Sequence, residues 1–311
     1  MKKCKIYSLV IILILLIQNS SIAQEIKLLK TTHFPHYPSA STIAIYNDRI
    51  YIIGDDAPYM LIIDTNHQVL DSIRLFFNTT KRIDKDEKAD IESSFLFDKN
   101  NNTYLVALSS FSTRKRNKCI VFNLSKKRKK AKIKNQRSLF AEGISDWNIE
   151  GATWMNRHLI IANRANLTHK VNQLLIGNFH LRHGIRQKEI KAISINLSQK
   201  QGITGISGLT YLSKSDILLF TASTEKTLNS YEDGEIGESY LGVITDISKK
   251  INGENLTADK FINLSKLFVS TTLQKIESIA VESETQENMI IHLAADNDNG
   301  ESTLFKIQLK R

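Results

Sequence analysis

One short pattern recurs along the chain and constrains its fold more than any other feature. Ile91-Glu92-Ser93 opens a strand-like run, and the pattern returns as Ile149-Glu150-Gly151, Ile206-Ser207-Gly208 and Ile276-Glu277-Ser278, with a looser copy at Ala40-Ser41. Measured between the middle residues of the full copies and Ala40 of the loose one, the intervals are 52, 58, 57 and 70 residues. Self-similarity on this scale marks a repeat architecture in which each unit buries its apolar faces against its neighbours. Five units of one design follow.

Each unit reads as four strands, because runs of Val, Ile, Leu, Phe and Tyr end at clusters of Asp, Asn, Gly or Lys. In the first unit they span residues 42–46, 49–53, 59–64 and 69–76, with Asn47-Asp48 as a tight turn. The second gives 93–97, 104–108, 119–123 and a basic run at 131–139. The last unit supplies only three strands, the third at 303–309, and residues 26–32 form a spare strand that can complete it. Joining the two ends in this way closes a ring. The fold class expected is therefore all-β, a five-bladed β-propeller closed by an N-terminal strand. Six blades is the alternative if the long interval from 207 to 277 hides another.

In an up-and-down blade the start of the innermost strand and the end of the second strand lie at the same edge. Glu92, Glu150 and Glu277 should then converge on one mouth of the central channel. Asp55, Asp56, Asn163, Arg164, Ser207, Glu225 and Asp296 should join them at that face. Oxygen donors of this kind suit a hard cation, calcium above all, which takes six to eight of them in flexible geometry. The competing reading is structural, with each Glu capping backbone amides between blades. The longest interval carries its excess in residues 226–239, an acidic, glycine-containing loop that the same parity places at the mouth, where Asp233 is a further candidate.

The N-terminus is read as a leader rather than as fold. Lys2, Lys3 and Lys5 precede an apolar run at 9–17, and Ser21-Ile22-Ala23 supplies small residues for cleavage. Residues 1–23 are thus a signal peptide and 24–311 a single propeller domain, exported to the periplasm or secreted. The run is too short for a transmembrane anchor, and no second run of about 20 apolar residues follows. Cys4 precedes the run, where a lipidated cysteine would follow it. That leaves Cys119 alone after processing, which excludes an internal disulfide and a cysteine zinc site. A content of 41% hydrophobic and 24% charged residues excludes a disordered or polytopic membrane chain.

The basic surplus, a formal charge of +10, is densest at Lys126-Lys127-Arg128-Lys129-Lys130. It lacks interleaved aromatics, so no nucleic-acid partner is expected. His180 and His183 have the wrong spacing for a metal pair on a strand. Hydrolase and phosphate-loop motifs are missing.

Asn148-Ile149-Glu150-Gly151-Ala152-Thr153 and Gly205-Ile206-Ser207-Gly208-Leu209-Thr210 resemble segments of the exported esterase-like phytase and SdiA-regulated propellers. Ser39-Ala40-Ser41 with Gly54-Asp55-Asp56-Ala57-Pro58 is closer still to an uncharacterised bacterial propeller family. The resemblance implies a channel-facing Glu set and bound calcium, carried onto Glu92, Glu150 and Glu277. Ala40 and Ser207 depart from it by lacking a carboxylate. The function expected is a monomeric, exported propeller that binds a cation and a small or polymeric ligand at the channel mouth. A metal-dependent hydrolase of a phosphoester, ester or lactone is the alternative, and a purely structural interaction module is a third.

Overall fold

The computed structural model describes residues 25–77, 80–126, 131–136, 144, 146–197, 203–226, 235–268 and 273–311. The leader, Cys4, the core of the basic run and Asp233 lie outside them. Within them the chain forms five sheets arranged as a five-bladed propeller, so the six-bladed alternative is set aside. Blade 1 comprises β2 (Ala40–Tyr46), β3 (Arg49–Gly54), β4 (Tyr59–Asp64) and β5 (Val69–Arg74). The first strand, β1 (Ile26–Phe34), belongs instead to the last blade. Blade 2 contains β6 (Ile91–Lys99), β7 (Asn102–Ser109), β8 (Lys118–Asn123) and β9 (Lys132–Asn135).

Blade 3 contains β10 (Ile149–Met155), β11 (His158–Asn163), β12 (Asn172–His180) and β13 (Gly184–Asn196). Blade 4 is built from β14 (Thr204–Leu212), β15 (Ile217–Lys226), β16 (Glu235–Ile244) and β18 (Lys260–Asn263). Between its last two strands lie a short helix α1 (Ile247–Lys250) and β17 (Asn255–Thr257), which adds in parallel to the outer edge of β13 in blade 3. The extra length of the 70-residue interval therefore falls partly here, and not wholly in 226–239 as the sequence reading had it. The excess there extends a hairpin, since β15 and β16 pair through Lys226↔Glu235.

Blade 5 consists of β19 (Ile276–Glu284), β20 (Asn288–Asp296) and β21 (Ser302–Lys310), and β1 completes it by pairing antiparallel with β21 from Ile26↔Leu309 to Phe34↔Ser302. This is the closure that residues 26–32 lead one to expect, extended by two residues.

Each apolar cluster packs across a boundary between adjacent blades, which explains strands that read as continuous apolar runs. Tyr51, Ile53, Met60 and Ile62 of blade 1 meet Leu105, Ile120 and Phe122 of blade 2. Between blades 2 and 3, Phe97 meets Trp154 edge-on with ring centroids 4.6 Å apart, and Phe179 closes the cluster. Burying such a side chain is worth about 1.5–3 kcal/mol, so every blade depends on both neighbours.

The repeated motif has a backbone meaning. In every inner strand the pairing with the second strand skips one residue at the same place: Ser41, Glu92, Glu150, Ser207 and Glu277 are left out of the ladder. A bulge inserts one unpaired residue and re-aims its side chain. The loose first copy is thus in register through Ser41, not Ala40. Where the bulged residue is serine, its hydroxyl joins blades: Ser41 donates to the Ile91 carbonyl and Ser207 to that of Ile276, at 2.5 Å. Ser278 and Thr153 extend this ring by accepting from the backbone N–H of Ile43 and Tyr211, both at 3.0 Å. Glycine follows the bulge where the next strand presses closest. A Cβ on Gly151 would lie 2.9 Å from the Leu209 Cβ, and one on Gly208 would meet Thr221 Oγ1 at 2.6 Å.

Candidate functional site

The five bulges and the five second-strand ends meet at one mouth of the channel. Ladder partners such as Ile149↔Asn163 and Ile91↔Ser109 fix the two sets at the same edge. Arg164, at the end of β11 and 3% exposed, reaches into the channel. Its guanidinium donates to Glu225 Oε2 at 2.9 Å and to Ser223 Oγ at 3.0 Å, and lies 3.8 Å from Glu150 and 3.9 Å from Glu277. Glu150 also accepts from Asn148 Nδ2 at 2.8 Å. Lys275 pairs with Glu277 at 3.2 Å and approaches Glu225 and Asp298 at 3.7 and 3.6 Å. Two of the three predicted Glu, Glu150 and Glu277, therefore lie within 4 Å of a protein cation.

Glu92 has a different setting. It joins Asp55 and Asp90, and each of the three presents a carboxylate oxygen within 4.8 Å of the others. Lys88 pairs with Asp55 and, at 2.9 Å, with Asp90, while Arg116 reaches Asp90 at 2.9 Å. Among the described residues no hydrogen-bond donor reaches Glu92. Asp55 Oδ1 is buried with no hydrogen-bond partner among the described residues, and so is Oδ1 of Asp56, whose other oxygen takes Arg82 Nε at 2.6 Å.

The electrostatics follow from crowding in a low-dielectric mouth. Burial pushes Asp55 up to about 6, with Asp56 and Asp90 adding to it and Lys88 opposing. Glu92 is held well above the usual carboxylate range by burial and by Asp90, Glu150 and Asp55. Burial likewise raises Glu150, with Arg164 opposing and Glu277 assisting, and raises Asp296, where the Asp55 charge assists. Burial alone would lower Arg164 and Lys275, but their surrounding carboxylates carry both above their usual values.

Not every predicted residue is free to meet a ligand. The Ser207 hydroxyl is spent on Ile276 and Thr221, and the side chain is fully buried. Asn163 holds its own turn, accepting from Asn148 N–H at 2.8 Å and donating to the Asp146 carbonyl at 3.3 Å. Asp296 Oδ1 accepts from Asp298 N–H at 2.9 Å. Sequence reasoning missed Lys88, Asp90, Lys275 and Arg116. Asp90 and Lys275 had a usable signal, since each precedes a bulged Glu by two positions and so occupies an equivalent place in the repeat. Lys88 and Arg116 come from loops with no such pattern.

The fold resembles that of glutaminyl cyclase from Myxococcus xanthus, with a TM-score of 0.50 and 9% identity over 92% of this chain and 97% of that one. An exo-1,5-alpha-L-arabinanase from a bovine ruminal metagenomic library is similar to the same degree, with a TM-score of 0.50 and 9% identity over 90% of this chain and 97% of that one. At such identity the likeness speaks for the fold alone. No curated protein matches the chain. A family model does match residues 36–309, from the approach to β2 to the end of β21, and the chain belongs to that family of unknown function, DUF6929.

Proposed function

We propose that the protein is an exported propeller that binds a cation, calcium being the best match, and through it a small or polymeric ligand at the channel mouth. The observation that carries this reading is that, among the described residues, carboxylates there outnumber the cations Arg82, Lys88, Arg116, Arg164 and Lys275, and neither Glu92 nor Asp55 Oδ1 has a hydrogen-bond donor. Donors that are all hard oxygens suit calcium. The set supported best is Glu92 with Asp55 and Asp90: Lys88 and Arg116 hold the two aspartates, but no donor among the described residues reaches Glu92, whereas Glu150 and Glu277 each lie within 4 Å of Arg164. The likeness of residues 148–153 and 205–210 to the phytase and SdiA-regulated propellers agrees with calcium. Export rests on the order of charged, apolar and small residues in positions 1–23.

Titration calorimetry of residues 24–311 with calcium, before and after chelation, tests the reading. Binding to the folded state alone must also raise the melting temperature, by the equivalent of about 2.7 kcal/mol at a hundredfold excess over Kd. Heat and stabilisation that vanish in Asp55→Asn and Glu92→Gln support the reading, and their absence in the parent protein overturns it. The hydrolase reading has one observation in its favour, a carboxyl held near 6 that is suited to proton transfer at neutral pH. Turnover of phosphoesters, esters or lactones that Asp55→Asn abolishes would favour it over simple binding.

A further inference from the structure

A second cluster of titratable groups lies away from the mouth, on the seam where the ring closes. The turn after β4 in blade 1 is capped by Asp64 Oδ1, which accepts from the N–H groups of Asn66 at 2.9 Å and Gln68 at 2.7 Å. That turn projects His67, with φ +60° and 3% exposed, toward blade 5. Four contacts then cross the seam. Lys30 of β1 donates to the Asn66 carbonyl at 2.6 Å, and Lys306 of β21 donates to that of Thr65 at 3.2 Å. His67 Nδ1 lies 2.8 Å from Thr32 Oγ1, and its Nε2 lies 2.9 Å from Nδ1 of the fully buried His292. The chain ends with His292 Nε2 at 2.6 Å from Glu282, which also holds Lys306 at 2.7 Å.

The protons on this chain can be placed. Glu282, as a carboxylate, requires a donor, so His292 carries its proton on Nε2 and leaves Nδ1 as acceptor. His67 must then donate through Nε2, and its Nδ1 accepts from the Thr32 hydroxyl. All three contacts are satisfied with both imidazoles neutral. One added proton puts a cation beside Lys30 and Lys306 in a buried seam, with Asp64 and Glu282 the carboxylates among the described residues that face the rings to offset three charges. A second sets N–H against N–H and severs the bond between the rings.

We propose that this cluster is an acid-operated latch on ring closure, which fastens blade 1 to blade 5 at neutral pH and loosens β1 and the 64–68 turn when both the solvent and the seam become acidic. It goes beyond cation binding at the mouth and does not depend on it. The charges that face the two rings from the packed elements are Lys30 on β1, Asp64 on β4, Glu282 on β19 and Lys306 on β21. Burial, His292 and the two lysines hold His67 down to about 4, and burial also lowers His292 against the pull of Glu282.

Hydrogen exchange on residues 24–311 at pH 7.5 and pH 4.5, corrected for intrinsic rates, tests the latch. Protection of β1 and residues 64–68 is expected to fall about tenfold or more at the lower pH while β10 and β11 keep theirs. The His67→Gln protein should lose this difference, whereas His33→Gln should keep it, since His33 is exposed on β1 and pairs with Glu301 at 3.1 Å outside the cluster. If His67→Gln does not fold, imidazole nitrogen shifts of the parent protein serve instead and should show two neutral Nε2–H rings at pH 7. Equal loss of protection in β1 and β10, an acid response retained in His67→Gln, or a charged ring at pH 7 would each overturn the proposal.

Discussion

Replacing Glu92 by Gln removes a charge without removing a hydrogen bond, so its effect isolates the electrostatics of the mouth. Oxygens of Asp55 and Asp90 lie within 4.8 Å of one on Glu92. Two like charges at that distance repel by about 3 kcal/mol at an effective dielectric constant near 20, and Lys88 cancels roughly one of the two repulsions. Burial adds to the cost of keeping Glu92 ionised. In chelator at pH 7.5, Glu92→Gln should therefore be more stable than the parent by about 1–3 kcal/mol. Urea unfolding reads this as a higher midpoint with unchanged slope. With calcium added the order should narrow or reverse, because the parent gains a ligand that the variant has lost. A variant less stable than the parent in chelator would refute the claim that uncompensated carboxylate charge dominates this site.

Arg164→Met should act in the opposite direction, since it removes the cation beside Glu150 and leaves Glu225 and Glu277 to Lys275; a loss of about 3–5 kcal/mol is expected in the same urea assay. Asp55, raised to about 6, contributes stability that is fully present below its unfolded value near 3.8 and is lost as pH rises through 6. His67, lowered to about 4, contributes with the reverse sign: its stability is present above about 6.5 and is lost as pH falls toward 4. Relative to the parent, the slope of melting temperature against pH between 4 and 6 should therefore shift toward loss of stability in acid in Asp55→Asn and toward gain in acid in His67→Gln. Deleting residues 24–33 exposes the edge of β21 and should lower the melting temperature sharply, and an unchanged melt would count against closure through β1. Cys119 is fully buried and its thiol is pushed up to about 12, so a thiol reagent should label it only under unfolding conditions.

Blade number, strand order and the closing strand were legible because each depends on local patterns that repeat. Apolar runs ending at Asp, Asn and Gly mark strands whichever blade they belong to, and the short last unit leaves residues 26–32 as its one available partner. The mouth was legible as a place for the same reason, since strand parity alone puts Glu92, Glu150 and Glu277 at one edge. Their partners were not. Whether a carboxylate faces a metal, a proton or an arginine depends on which side chain crosses the channel, and Arg164 does so from another blade than Glu225 and Glu277. The bulge at Ser41 was read one residue early because a bulge changes the count of residues without changing the apolar pattern on either side. His67 and His292 stand 225 positions apart and meet only when the ring closes, so neither carries a signal in its own segment.

The strand β17 has a bearing on how the ring comes apart. Asn255, Leu256 and Thr257 leave blade 4 and pair with Ser194, Ile195 and Asn196 of blade 3, and Lys191 donates to the Asn252 carbonyl just before them at 3.1 Å. Blade 3 thus finishes with chain that blade 4 must release, and β18 cannot detach from β16 without pulling on β13. The two blades are therefore expected to open together, as one cooperative unit in hydrogen exchange. A protease cut near Gly253 would leave both halves clasped in place by backbone pairing, whereas across the boundary between blades 1 and 2 a cut would leave side-chain packing, side-chain hydrogen bonds and the Lys88–Asp55 ion pair to hold the halves together.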